Sequence, residues 1–295
     1  MNWRVILITL IILGCVGKSC VTVIDDFGYE VYVEKYPERI VSLSPSSTEI
    51  LFALGLGDRV VGVTDQCNYP PEVLKLKEEG KISSVGGYSA VDVERVLRLK
   101  PDLVIASYGN GYQVVRTLKD FVPVLGLNPK NVSGVMKDVM LIGKVCGVED
   151  NATKLVEWMK DKMKVGKHRW KPKILHIIWN NPIWVSGRET FVDDLIRLAG
   201  GTNAVNESGW VVLSLEDLIR IDPDLIIVNS GDGMNSKGRN VLYEWIMGDE
   251  NLKVLKAVRT GRVYVIDSDL ISRPSHRVVY VIENISNIID LALKS

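Results

Sequence analysis

Glu94-Arg95-Val96-Leu97-Arg98-Leu99-Lys100-Pro101-Asp102-Leu103-Val104-Ile105 has a counterpart further along the chain. Glu216-Asp217-Leu218-Ile219-Arg220-Ile221-Asp222-Pro223-Asp224-Leu225-Ile226-Ile227 repeats its order of charged, apolar and turn residues. Each copy predicts a short amphipathic helix, a Pro-Asp turn and a buried strand. Copies this far apart are not a solenoid, whose period is much shorter. They predict two similar α/β lobes, an arrangement that commonly holds a ligand in a crevice.

Working outward, Arg39–Leu43 predicts a strand running into Ser44-Pro45-Ser46-Ser47-Thr48-Glu49. There a hydroxyl residue caps a helix over about Thr48–Leu54, with Glu49 in its first turn and Gly55 and Gly57 as its stop. Val60–Val63, Leu103–Ala106 and Val122–Leu127 read as further strands, and Val21–Val33 as a hairpin around Asp26-Phe27-Gly28. In the second half, strands are expected at Ile174–Trp179, Leu225–Val228 and Val263–Ile266, and helices at about Thr190–Leu198 and Arg277–Leu293. Asn180–Gly187, Ser107–Tyr112 and Ser230–Gly238 read as loops. The reading is helical from about Asn131 to Trp170, and a connector helix of about 20 residues would span about 30 Å. The expected organisation is a signal or lipoprotein segment at 1–20, an α/β lobe at 21–148, a connector helix at 149–171 and a second α/β lobe at 172–295. Strand–helix alternation in both halves predicts mostly parallel sheets.

The 295 residues carry 36 Lys+Arg and 36 Asp+Glu. That balance gives no electrostatic case for nucleic acid. At the N-terminus Arg4 precedes an apolar run, Val5–Leu13, too short to span a bilayer comfortably. It matches a secretory signal. Ile12-Leu13-Gly14-Cys15 resembles a lipoprotein cleavage box in which Cys15 becomes the lipid-bearing residue; an uncleaved anchor is the other reading. Both place the body outside the cytoplasm at a membrane. Cys67 and Cys146 either pair or remain buried thiols.

No P-loop, G-x-G-x-x-G or G-x-S-x-G motif is present, and His168, His176 and His276 are scattered. Neither a catalytic set nor a bare metal-ion site is therefore predicted. Aromatic residues instead crowd the segments expected as strand-following loops: Tyr69, Tyr88, Tyr108, Tyr112, Trp184 and Trp210. Such loops face the crevice in parallel sheets, and aromatics there suit a large planar or apolar ligand. Asp269 and Arg273, four apart before Pro274, could bind a ligand's polar edges or form a surface ion pair.

Arg39–Gly55, Tyr69-Pro70-Pro71, both Pro-Asp repeats, Val185-Ser186-Gly187-Arg188-Glu189-Thr190 and the central helix resemble substrate-binding proteins of ABC importers. The class has two Rossmann-like lobes joined by a single long α-helix, the class III periplasmic-binding-protein fold, and serves cobalamin, ferric siderophores and haem. The resemblance covers nearly the whole chain after residue 21 and is nearest to the vitamin B12-binding members. It implies a non-enzymatic carrier, with cobalamin or a related corrinoid as transported ligand rather than cofactor. It implies ligand contacts at Tyr69, Tyr88, Tyr108, Trp184, Trp210, Asp269 and Arg273. Tyr88 stands where those members carry tryptophan, and another family tryptophan falls on Ser107 or Tyr108. The resemblance also implies that Glu94 and Glu216 dock on arginines of the membrane permease. The implied partners are that permease with its ATPase subunits, and the membrane through a lipid anchor; a monomer is expected. A ferric siderophore or haem is the alternative cargo, and a secreted doubly wound enzyme built on Asp269, Arg273 and His276 the remote one.

Overall fold

The computed structural model describes residues 20–165, 169–230, 235–236 and 239–294. Cys15 and the rest of the N-terminal segment, His168 and most of the loop at 230–238 lie outside them. The chain divides into two compact units, one of residues 1–128 and 137–156, the other of 129–136 and 157–295. Both are α/β.

In the N-terminal unit five strands form one wholly parallel sheet, ordered Ser83–Ser84, Val60–Val63, Ile40–Ser42, Leu103–Ser107, Val124–Leu127. The order reverses between Ile40–Ser42 and Leu103–Ser107, so the two strands flanking the switch point are central. Val41, Leu43, Val104 and Ala106 lie in the core with Val96 and Leu118. Val21–Ile24 and Glu30–Val33 form the expected hairpin.

In the C-terminal unit Lys173–Asn180, Leu225–Ser230 and Val263–Asp267 run parallel. Beyond Lys173–Asn180 the sheet continues antiparallel through Ile183–Ser186 and Trp210–Leu213. The core gathers Leu175, Ile177, Val185, Ile226, Val228 and Leu218.

The sequence repeat is also a repeat of structure. Helix Val93–Arg98 is capped by Asp92, which accepts from Arg95 N, and helix Leu215–Ile221 by Ser214, which accepts from Asp217 N. Val96 and Leu218, at matching positions, enter their cores. Lys100 and Asp222, each just before proline, both take a left-handed conformation, with φ of 48° and 40°. The Pro-Asp carboxylates then do the same job twice. Asp102 accepts from the N–H groups of Glu38 (2.9 Å) and Arg39 (2.8 Å), and its own N–H donates to Arg39 O at 2.9 Å. Asp224 accepts from Lys173 N (2.8 Å) and Lys256 Nζ (2.6 Å), and its N–H donates to Lys173 O at 2.9 Å. Each clamp fixes the amino end of the neighbouring central strand.

Several boundaries differ from expectation. The first helix is Pro45–Ala53, three residues early, because Ser44 is its cap and Pro45 fills a position that needs no N–H. Glu49 is consequently mid-helix and buried. The helix expected at 149–171 is Glu149–Lys162. Its end tightens as Lys164 N bonds to Asp161 O, just ahead of Gly166 and a crowd of lysines. Asn180–Gly187 is not all loop, since Ile183–Ser186 pairs on both sides. Ser107–Tyr112 includes a 3₁₀ turn at Tyr108–Asn110. Cys67 and Cys146 are both free and buried.

Asp102→Ala removes two hydrogen bonds that anchor a central strand and should lower unfolding free energy by about 1–3 kcal/mol. Asp102→Asn, which retains one acceptor, should fall between. Denaturant melts of the three proteins check this; equal midpoints would remove the clamp from the account.

Candidate functional site

At the switch point of the N-terminal unit, Ser42 and Ser107 end the two central strands. Helix Pro45–Ala53 begins directly after the first, with Thr48 Oγ1 donating to Ser42 Oγ at 2.9 Å. After the second, the chain turns at Tyr108-Gly109-Asn110. Asn110 is almost fully buried and acts as a bolt. Its Nδ2 donates to Leu43 O (2.7 Å) and Tyr88 O (2.8 Å), while its Oδ1 accepts from Ser107 N (2.6 Å). Three loops are thus tied at one point.

Tyr88 is held in that knot. Its hydroxyl lies 3.0 Å from Ser107 Oγ, and its N–H donates to Gln66 Oε1 at 2.9 Å. A Cβ on Gly109 would overlap the Tyr88 ring and hydroxyl, so the ring rests on a bare backbone. Gln66 also brings in the loop that carries Tyr69, which is half-buried. Tyr108 projects at 72% exposure and Tyr112 at 62%. They border a cavity of about 530 Å³ with Phe27, Tyr29 and Val115. The structure therefore brings Tyr88 and Tyr108 into one cluster of tied loops, with Tyr69 on the adjoining loop.

In the C-terminal unit Trp184 and Trp210 are not loop residues as expected. They sit on the paired strands Ile183–Ser186 and Trp210–Leu213, where Trp184 faces Val212 and Ser186 faces Trp210. Opposed residues share a face and alternate residues return to it, so Trp184 and Trp210 lie on one side of the sheet. Ile183, Val185 and Leu213 fill the other, buried side. Gly187 lets this strand pair close: its N–H donates to Gly209 O at 2.8 Å, and a Cβ there would run into Glu207 O.

On the same face as the tryptophans, further into the sheet, lies a neutral polar network. His176 is fully buried between Ser186 Oγ (3.1 Å from Nδ1) and Asn229 Oδ1 (2.8 Å from Nε2). With Asn229 Oδ1 accepting, the proton sits on Nε2 and Nδ1 accepts from Ser186. Burial pushes the imidazole pKa down to about 4, against a smaller upward pull from Asn229. This histidine is structural and uncharged at neutral pH.

Asp269, on helix Ser268–Ser272 directly after the outermost parallel strand, forms a 2.7 Å ion pair with Arg273, the residue just past that helix. Arg273 is mostly covered, Asp269 half-exposed. Three strand spacings separate their strand from that of Trp184, about 14 Å. One ligand could meet both only if it were large. Glu94 and Glu216 are exposed at the same second position of their matched helices. Among the described residues no group of three His, Cys, Asp or Glu side chains could hold a metal ion, and no helix is long and apolar enough to cross a membrane.

Asn110, which fixes the position of Tyr88, is absent from the residues the sequence singles out. Its only signal was an amide between two glycines at the end of a buried strand.

Residues 40–270 match the periplasmic binding protein family. The chain is 33% identical to the ABC transporter substrate-binding lipoprotein YvrC of Bacillus subtilis, over 90% of this chain and 84% of that protein. It is 26% identical to a vitamin B12-binding protein of Vibrio parahaemolyticus, over 83% and 86%. Among solved structures, the periplasmic heme-binding protein RhuT of Roseiflexus superposes with a TM-score of 0.75 at 25% identity, covering 86% of this chain and 98% of that one.

Gly109→Ala should displace the Tyr88 ring and break its bond to Ser107 while leaving the fold intact. The Tyr88 ring resonances in an NMR spectrum would shift with little change in melting temperature. Unmoved resonances would mean that the knot is looser than its geometry.

Proposed function

The chain belongs to the periplasmic binding protein family, acting as an extracytoplasmic substrate-binding protein of an ABC importer rather than as an enzyme, and we propose that its cargo is cobalamin or a related corrinoid. The observation carrying this reading is the exposed tryptophan pair, Trp184 at 37% and Trp210 at 54%, held on a rigid sheet face whose reverse side is core. Large exposed apolar surface on a folded unit marks a binding site. In the other unit Tyr88 and Tyr108 offer a second aromatic cluster, and Tyr69 its neighbour. Asp269 and Arg273 would read polar edges of the ligand. Their separation from Trp184 favours a ligand on the scale of a corrinoid over a small solute, and the similarity to vitamin B12-binding proteins points the same way.

A haem or ferric siderophore cargo is the second reading. Exposed Tyr108 and Tyr112 beside the 530 Å³ cavity favour it. Phenolate oxygen is an established ligand for ferric haem, and RhuT is named as a heme-binding protein.

Delivery would use Glu94 and Glu216. Matched acids on equivalent helices suit a permease that presents matched basic sites, and give orientation and on-rate more than affinity. An anchor at Cys15 would hold the protein at the membrane, in line with the lipoprotein name of the Bacillus relative.

Calorimetric titration with cyanocobalamin, and with haemin and a ferric siderophore in parallel, tests the cargo. Trp184→Ala and Trp210→Ala should each cost about 2 kcal/mol, near 30-fold in Kd. Cobalamin affinity unchanged in both variants would remove the aromatic face from the site. Glu94→Lys with Glu216→Lys should leave cargo binding intact and abolish reconstituted uptake; uptake at the wild-type rate would sink the docking role.

A further inference from the structure

We propose that Trp179, to which neither the sequence reading nor the resemblance gives a role, is a third ligand-contacting tryptophan, delivered to the Trp184 face by a bulge in the strand Lys173–Asn180. The proposal rests on the cargo reading above and deepens it. In the ladder between Lys173–Asn180 and Ile183–Ser186, Ile177 opposes Val185. A regular antiparallel register would then set Trp179 opposite Ile183, a residue of the buried face. The register slips by one between Ile177 and Trp179, and Trp179 opposes Trp184 instead. One extra residue has turned an indole from the core side to the exposed side, a known use of bulges.

Burial agrees with that register. Ile177 is fully buried, while Trp179 is 42% exposed. The result is a row across three neighbouring strands, Trp179, Trp184 and Val212, with Trp210 beside it. The row is about 10 Å wide, two strand spacings. That width fits the face of a planar macrocycle. Trp179 is also held in place, its Nε1 donating to Asn181 O at 2.9 Å across the turn. A fixed indole gives contact area with little ordering cost on binding. Covering its own lobe's core does not account for it, since 42% of Trp179 stays exposed on the part of the face where Trp184 and Trp210 are exposed as well.

The test is a titration of the full-length protein and three variants with cyanocobalamin and with haemin, alongside thermal melts. Trp179→Ala should weaken binding of the preferred macrocycle about tenfold. Trp179→Phe, which keeps a ring but cannot donate to Asn181, should stay within about threefold of wild type. Both should melt close to wild type. If Trp184→Ala weakens binding and Trp179→Ala does not, the role of Trp179 is overturned while the cargo reading stands. If Trp179→Phe loses as much affinity as Trp179→Ala and both lose stability, Trp179 serves the turn and the proposal fails. If the wild-type protein binds neither macrocycle, the cargo reading falls and the role of Trp179 falls with it.

Discussion

The structure depends on a carboxylate gripping the start of a neighbouring strand. Asp102 and Asp224 each exchange hydrogen bonds with the residue that opens a central strand, Arg39 in one unit and Lys173 in the other. The consequence is identical register on both sides: Ile40 aligns with Leu103, and Ile174 with Leu225. Because side chains alternate along a strand, a slip of one residue would send the core set to the wrong face. By setting the register, the clamp also sets which residues reach the carboxyl-end loops. Asp224 shows the electrostatics of such a grip: burial raises its pKa, yet bonds from Lys256 and the Lys173 N–H outweigh this and leave it below the usual value. That share of stability is present above the usual aspartate range and is lost on acidification.

This part of the fold was legible because it was written in local chemistry. A Pro-Asp dipeptide after an amphipathic helix carries its own stop signal and turn geometry. The same locality explains the hairpin at Val21–Val33 and the strand Val60–Val63. Strands Ile183–Ser186 and Trp210–Leu213 were not legible in the same way. Each is four residues long; Asn181-Pro182 and Gly187 bracket the first and Ser208-Gly209 precedes the second, so turn signals outweigh the strand pattern. What makes them strands is partners: one edge of Lys173–Asn180 is open to pairing beside its parallel neighbour. The tryptophans were thus found by residue type and misplaced by element.

Asn110 and the bulge mark a different limit. Asn110 matters because it reaches Leu43 and Tyr88, 67 and 22 residues away, and no spacing rule connects those positions. The bulge matters because alternation along 173–180 would have assigned Trp179 to the core. Both are tertiary choices made after the elements exist.

The aromatic face shares its side of the sheet with a polar network. The central strands Lys173–Asn180 and Leu225–Ser230 are buried on both faces over most of their length, whereas the strands that carry Trp184 and Trp210 leave those side chains exposed, and the polar network ties the second set to the first. Ser186, on the same face as both tryptophans, accepts a bond from Asn203 through its carbonyl and meets His176 through its hydroxyl. His176 continues to Asn229, whose carbonyl accepts from Asn240. Buried polar chains of this kind stabilise little on average but penalise any misalignment, because a broken member is left unsatisfied. The penalty is what a recognition surface needs. A network that tolerates only one register holds Trp184 and Trp210 at fixed spacing before any ligand arrives, and the ordering cost of binding is correspondingly small.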